Sequence, residues 1–231
     1  MSTEKLYPAS APRVRAGGWR WLEALLLYGG IPVVWAWRYP DRIVLPVLWV
    51  CAVPCAVYLL LGRKLTRSQW GWGTAVRADL TRILLRFLAG AAVMTLLLAW
   101  VDADVLFGFP RSRPRIWMAV CVLYPPLSVY PQGIVYRAFL VSRYGHLLPQ
   151  RVLPWAAAIA FAWAHIVFAN GWALLFTFIG GWMFHDTWTR TRSLMMTAVE
   201  QSLYGLWLFT LGWGAFFYHG TLRWAERAAG S

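Results

Sequence analysis

Long apolar segments separated by short basic stretches make up most of this chain. A bilayer core about 30 Å thick requires roughly 20 apolar residues in a helix that rises 1.5 Å per residue. Seven stretches approach that length: residues 21–37, 43–61, 83–101, a fourth from about 116, 152–168, 172–188 and 194–217. The pattern therefore predicts an all-α polytopic membrane bundle of about 7–8 transmembrane helices.

The fourth apolar stretch contains a cluster of prolines, Pro125, Pro126 and Pro131. Proline has no backbone N–H and its ring clashes with the preceding helical turn. We therefore expect one helix of the bundle to be broken near Pro125–Pro131. A new helix is then expected to start near Pro131 and to run through Arg137 to Arg143.

The composition excludes a soluble domain. Of the 231 residues, 60% are hydrophobic and only 13% are charged, which leaves too little polar surface for solution. The net charge of +13 comes from 22 Lys and Arg residues in short clusters rather than in one stripe, so we expect no nucleic-acid partner. With the N-terminus inside, thirteen of these cations fall on the inner side and seven on the outer. The count predicts a multi-pass protein of the bacterial inner membrane, with its N-terminus in the cytoplasm.

This layout divides the chain into four segments. Residues 1–20 are expected to form a cytoplasmic N-terminal segment, and 21–115 to be accessory transmembrane helices with a basic interfacial loop at 63–82. Residues 116–220 form the core of the bundle, and 221–231 a C-terminal tail. The three cysteines lack zinc spacing and are expected to be structural thiols, so neither a metal nor a cofactor is expected.

Charged residues within apolar segments mark the candidate site, because a charge at bilayer depth costs at least ~2.5 kcal/mol. Glu23 and Arg86 lie near predicted span ends and are expected to reach the interface. His185 and Asp186 are likewise expected to be interfacial. The deeper polar residues are Arg137, His165, Glu200 and Gln201.

Two stretches carry a family resemblance. Residues 130–140 read Tyr-Pro-Gln-Gly-Ile-Val-Tyr-Arg-Ala-Phe-Leu, and 161–165 read Phe-Ala-Trp-Ala-His. They resemble motifs of the CPBP family, the CAAX prenyl proteases and bacteriocin-processing intramembrane endopeptidases. The first motif of that family is Glu-Glu-x-x-x-Arg and the second is Phe-x-x-x-His, which Phe161 and His165 match. A third motif, a His followed four residues later by Asn or a small residue, is similar to the region 191–205. The resemblance covers roughly residues 120–220 and implies a CPBP-like core at 116–220.

The family chemistry implied by this resemblance is hydrolysis by water that a Glu and a His activate, with later donors to the oxyanion. In this chain the two glutamate positions are Gln132 and Gly133. The third-motif positions are Gln201 and Gly205. His165 is the one ordinary catalytic residue retained, with Arg137 beside it.

Glu200 is the single carboxylate deep in the region of resemblance. Because neighbours on a helix point about 100° apart, Glu200 does not take the place of the family histidine at Gln201. We expect Glu200 to form a structural ion pair with Arg137, to serve as a relocated base, or to face an aqueous cavity.

Three functions follow from these residues. The first is a catalytically degraded pseudoprotease, which keeps an intramembrane pocket for a membrane-associated peptide or protein, with space left by Gly133. The second is an active intramembrane endopeptidase that uses His165 with Gln132 and Gln201, or with Glu200. The third is a transporter-like membrane protein. Two matching halves with interrupted helices, which are typical of transporters, are not evident in the sequence. Whether the chain is an enzyme is thus left open by its sequence.

Overall fold

The described residues of the computed structural model are 18–38, 44–72 and 76–213, and they contain helices and no strands. The predicted segments 1–20 and 221–231, and the end of the seventh span at 217, lie wholly or largely outside them. Nine α-helices are described. They are α1 at 18–38, α2 at Val44–Leu61, α3 at Arg67–Trp70, α4 at Val76–Val101, α5 at Gly108–Ser112, α6 at Pro114–Tyr144, α7 at Leu153–Trp163, α8 at Gly171–Thr191 and α9 at Leu194–Leu211.

Among the described residues, three helices are long and apolar enough to cross a membrane: Val44–Leu61 in α2, Ala78–Val101 in α4 and Pro114–Tyr144, which is α6. The prediction of an all-α membrane bundle is confirmed at this level, and three spans indicate a multi-pass membrane protein. The other predicted spans coincide with helices as well. They are shorter or more polar, since α7 has 11 residues and α9 contains Glu200 and Gln201.

The expected break at the prolines is wrong, because α6 continues through all three of them. Pro125–Val129 forms a π-helical turn, in which the Tyr130 N–H donates to the carbonyl of Pro125. A second π-helical segment, Ile134–Phe139, follows. The wider π-helical turn changes which carbonyls are bonded, so a residue without an N–H fits without ending the helix.

The largest apolar core surrounds the second half of α6. Ile134, Ala138 and Leu140 of α6 pack there with Leu59 of α2 and Trp188 of α8, all of them buried. Outward-facing side chains are also apolar, and large ones such as those of α2 and α4 remain exposed. An apolar exterior around a packed interior is what a bilayer requires of a helical bundle.

Polar contacts join the helices at the end of the bundle that holds the N-terminus of α1. Arg143 donates from Nε and Nη2 to the two carboxylate oxygens of Glu23, at 2.8 Å each. Glu23 therefore has a partner within the protein, and about a quarter of its side chain, 26%, is exposed. His146 lies in the loop that follows α6, and its Nε2 is 2.8 Å from the Arg20 guanidinium. Burial, and after it the positive charge of Arg20, lower the pKa of His146.

The predicted basic loop at 63–82 is partly helical. Thr66 and Gln69 form a capping box that begins α3, and the Gly71 carbonyl accepts a 2.6 Å hydrogen bond from Ser193. Residues 76–82 are the first turns of α4 rather than loop. These turns are polar but still helical, because Asp79 pairs with Arg190 of α8.

Close packing of α4 on α9 gives a stability test at Gly90. A Cβ on Gly90 would lie 2.7 Å from Cε1 of Tyr204, whose ring is held by Phe87. We expect Gly90→Ala to lower the unfolding temperature of the purified protein by several degrees, since overpacking costs ~1–3 kcal/mol. Gly29→Ala is the control, because nothing lies within 4 Å of its added Cβ. An unfolding temperature for Gly90→Ala equal to that of Gly29→Ala would contradict the packing described.

Candidate functional site

Two glutamines at the positions of the family motifs contact each other. Gln201 of α9 donates from Nε2 to Oε1 of Gln132 in α6, at 2.8 Å. Gln132 in turn donates from Nε2 to the hydroxyl oxygen of Ser128, at 3.0 Å. The structure thus brings together residues 69 positions apart in the sequence. An amide pair of this kind is uncharged and offers no group that can remove a proton from water.

His165 follows α7, in the link to a short 3₁₀ turn at Ile166–Phe168. Its Nδ1 lies 2.7 Å from the carbonyl oxygen of Phe161. A carbonyl only accepts, so Nδ1 carries the proton and Nε2 of the neutral ring is an acceptor. The imidazole also packs edge-on against the Phe161 ring, at 4.7 Å between centroids. The Phe-x-x-x-His spacing therefore fixes both the tautomer and the orientation of the ring.

Arg137 is buried against aromatic rings, with 1% of its surface exposed. Its guanidinium carbon lies 4.1 Å from the centroid of Phe161 and 5.3 Å from that of Phe184. No hydrogen bond to Nη1 or Nη2 is found within the described part of the chain. Phe161 thus separates Arg137 from His165 and contacts both, which makes the role of Arg137 one of cation–π packing.

The two glycine positions of the motifs lie close to neighbouring side chains. A Cβ on Gly133 would meet Cδ2 of Leu194 at 3.3 Å, and one on Gly205 would meet the hydroxyl of Tyr124 at 2.3 Å. The space expected at Gly133 is therefore narrowed by Leu194, which must shift by a few tenths of an ångström to admit a Cβ.

Glu200 forms an ion pair, but with a different partner from the one expected. The carboxylate has no exposed surface, and its Oε1 lies 3.6 Å from Nη1 of Arg86. Arg86 also bonds to Asp186, which accepts a 3.2 Å hydrogen bond from Arg190. Within the described residues no salt bridge joins Glu200 to Arg137.

Sequence reasoning missed Arg86 as part of this cluster because it placed the start of the helix too late. The helix α4 begins at Val76, so Arg86 lies nearly three turns inside it rather than one. His185 and Asp186 were expected to be interfacial. In the structure His185 is buried, and Asp186 is half-buried among cations. The sequence feature that could have indicated this charged cluster is the presence of an acidic residue, Asp186, near the end of an apolar helix.

A cavity of about 1090 Å³ runs through the bundle. Gln132, Gln201, Gly205 and His165 line it, whereas Gly133, Arg137 and Glu200 do not. Across residues 18–38, 44–72 and 76–213, no group of three His, Cys, Asp or Glu side chains is placed to hold a metal ion. The arrangement can bind an uncharged polar group beside a large apolar surface.

No protein-family model matches the sequence, and no curated protein or solved structure matches it either.

The Arg86–Glu200 pair gives a test by a double-mutant cycle. Removing one partner of a buried ion pair leaves an uncompensated charge and costs ~3–5 kcal/mol, whereas removing both costs less. We expect Arg86→Leu and Glu200→Leu each to lower the unfolding temperature, and the double variant to lose less than the sum. Arg82→Leu is the control, since Arg82 is half-exposed and 3.7 Å from Asp186. Strict additivity of the two changes would show that the pair is not coupled.

Proposed function

We propose that this chain is a CPBP-type membrane protein that has become a pseudoprotease, with an intramembrane pocket that binds a ligand without hydrolysing it. The hydrogen bond between Gln132 and Gln201 carries the proposal. These two residues stand at positions where the family motifs have a glutamate and a histidine. They lie in contact and line the same cavity as His165, which is the relation expected of motif residues of one site.

Loss of hydrolysis follows from the lack of a carboxylate base at the two glutamate positions of the motif. A general base contributes about 10²- to 10⁴-fold to a reaction of this type, and neither glutamine amide can accept the proton of water at neutral pH. The one carboxylate among the described residues that lines the cavity is Glu23, and Arg143 holds both of its oxygens. Glu200 does not line the cavity and pairs with Arg86, so it is poorly placed to act as a relocated base.

The proposed protein has seven membrane segments, in which α1, α7, α8 and α9 accompany the three long apolar helices. Residues 18–38 and Gly171–Thr191 are each long enough at 21 residues. Their polar side chains are supported by contacts within the bundle, such as the Glu23–Arg143 pair. The excess of Lys and Arg favours a cytoplasmic N-terminus and an inner-membrane location.

The proposed topology can be tested by labelling single cysteines in intact cells. In a variant lacking Cys51, Cys55 and Cys121, we expect Lys64→Cys to react only after the inner face is made accessible. Asp104→Cys is expected to react with an impermeant maleimide added outside, because it follows the outer end of α4. The reverse pattern would invert the orientation, and equal labelling of both sites would place them on the same side.

Absence of hydrolysis is tested by mapping new protein N-termini in membranes of cells that express the chain. We expect the same termini from the wild-type protein and from His165→Ala, because no unpaired carboxylate lines the cavity to activate water together with His165. Termini that appear with the wild type and vanish with His165→Ala would establish an active endopeptidase instead.

Restoring the family residues is the complementary test. We expect Gln132→Glu, Gly133→Glu and Gln201→His together to give cleavage only when Leu194→Ala is added, since Leu194 narrows the space at Gly133. Leu194→Ala alone is the matched control and should remain inactive. Failure of the folded fourfold variant to produce any new terminus would count against the assignment of these positions to a protease scaffold.

A further inference from the structure

The cavity reaches the outside of the bundle on its apolar flanks. Val50 of α2 and Val93 of α4 line it, and they are 73% and 63% exposed. Both lie within helices that are long and apolar enough to cross a membrane. A ligand can therefore enter from the bilayer, so the cavity is suited to a molecule already dissolved in lipid.

The charges that line the cavity are compensated by other protein groups. The three charged lining side chains of the described residues are Glu23, Arg143 and Arg86. Glu23 and Arg143 form a two-bond pair, and Arg86 is bound by Asp186 and Glu200. An ionised head group would enter this low-dielectric space without a counter-charge, which is costly. The head group of the ligand is therefore uncharged.

The polar wall of the cavity offers acceptors for a hydroxyl group. Gln201 lines the cavity; its Oε1 is closed to solvent in this structure and has no donor among the described residues. The Nε2 atom of His165 is also an acceptor, because Nδ1 donates to Phe161. A buried acceptor without a donor costs ~1–3 kcal/mol, which a ligand hydroxyl can recover. An O–H donates to such acceptors and can accept from the amide group of the same pair.

The size of the cavity accommodates a chain as well as a head group. Its volume of about 1090 Å³ lies at the upper end of the ~300–1,000 Å³ of small-molecule pockets. Most of its lining is aliphatic or aromatic, contributed by all seven helices of the proposed membrane bundle. A single long hydrocarbon chain with a small head matches this combination.

We infer that the cavity binds a single-chain lipid with an uncharged hydroxyl head, of the monoacylglycerol type. The inference rests on the proposed function, namely that the cavity binds without hydrolysing, and it names the ligand class of that site. The hydroxyls of the head bond to Gln201 and His165, and the chain lies along the apolar flanks toward the bilayer.

The test uses the full chain in phosphatidylcholine nanodiscs and the probe 1-monooleoylglycerol. It is offered with equal amounts of oleic acid, which carries the same chain on an ionisable head, and of 1-oleoyl-lysophosphatidylcholine, which carries it on a zwitterionic head. Native mass spectrometry of the released protein counts the retained lipid. We expect one bound monooleoylglycerol, retained about tenfold more than either competitor, the factor that one net hydrogen bond supplies. Equal retention of the three lipids would overturn the inference.

Variants locate the head group. Gln132→Leu with Gln201→Leu removes the amide pair without leaving one member unpaired, and should reduce the preference for monooleoylglycerol to about equal retention. Ser202→Ala is the matched control, since Ser202 is buried on α9 but does not line the cavity. Unchanged preference in the double leucine variant would overturn the assigned contacts. If that variant does not fold, the competition with the wild-type protein still tests which lipid is bound.

A peptide occupant is distinguished in the same assay. An uncharged transmembrane peptide of Leu and Ala should leave monooleoylglycerol bound, whereas its displacement by the peptide with one peptide retained would overturn the lipid assignment. Mapping of protein termini addresses hydrolysis separately. If the lipid does not bind and no cleavage is found, only the assignment of the ligand is wrong. If the wild-type protein cleaves, the proposed function itself is wrong.

Discussion

Polar groups at membrane depth must find their partners inside the protein, and this constraint organises the bundle. The amides of Gln132 and Gln201 join α6 to α9, and the Arg86–Glu200 pair joins α4 to α9. The Glu23–Arg143 pair joins α1 to α6. Apolar packing has little preference for one helix arrangement over another in lipid, so these polar pairs specify which helices are neighbours.

One aromatic side chain links Arg137 and His165. Phe161 stacks under the guanidinium of Arg137 and against the imidazole of His165. The ring thereby shields a buried cation from the cavity and holds the histidine at its wall. The spacing of Phe161 and His165, one helical turn apart, thus has a physical meaning that does not depend on hydrolysis.

The helical bundle could be predicted from sequence, because the length of apolar runs is a local pattern. The grouping of Gln132, Gln201 and His165 is not local, and it was expected only from a resemblance to family motifs. Helix continuity through Pro125 and Pro131 could not be predicted, since it depends on π-helical hydrogen bonds that have no clear sequence signature.

Contacts between distant helices were harder to predict. The pairing of Glu200 with Arg86 depends on how α4 and α9 pack, and Arg137 was the nearer cation in sequence. The narrowing of the space at Gly133 depends on Leu194, which is 61 residues away by its number. Such contacts are set by the register of packed helices, and a single sequence does not specify that register.

The length of α6 has a consequence for the membrane around the protein. Its 31 residues measure about 46 Å at 1.5 Å per residue, whereas the hydrocarbon core is about 30 Å thick. The helix must therefore tilt or extend beyond the core, and a thinner bilayer increases that mismatch. Gln132 lies on this helix and its partner Gln201 on a much shorter one. A change in bilayer thickness is therefore expected to act on α6, which carries Gln132, more than on α9, which carries Gln201.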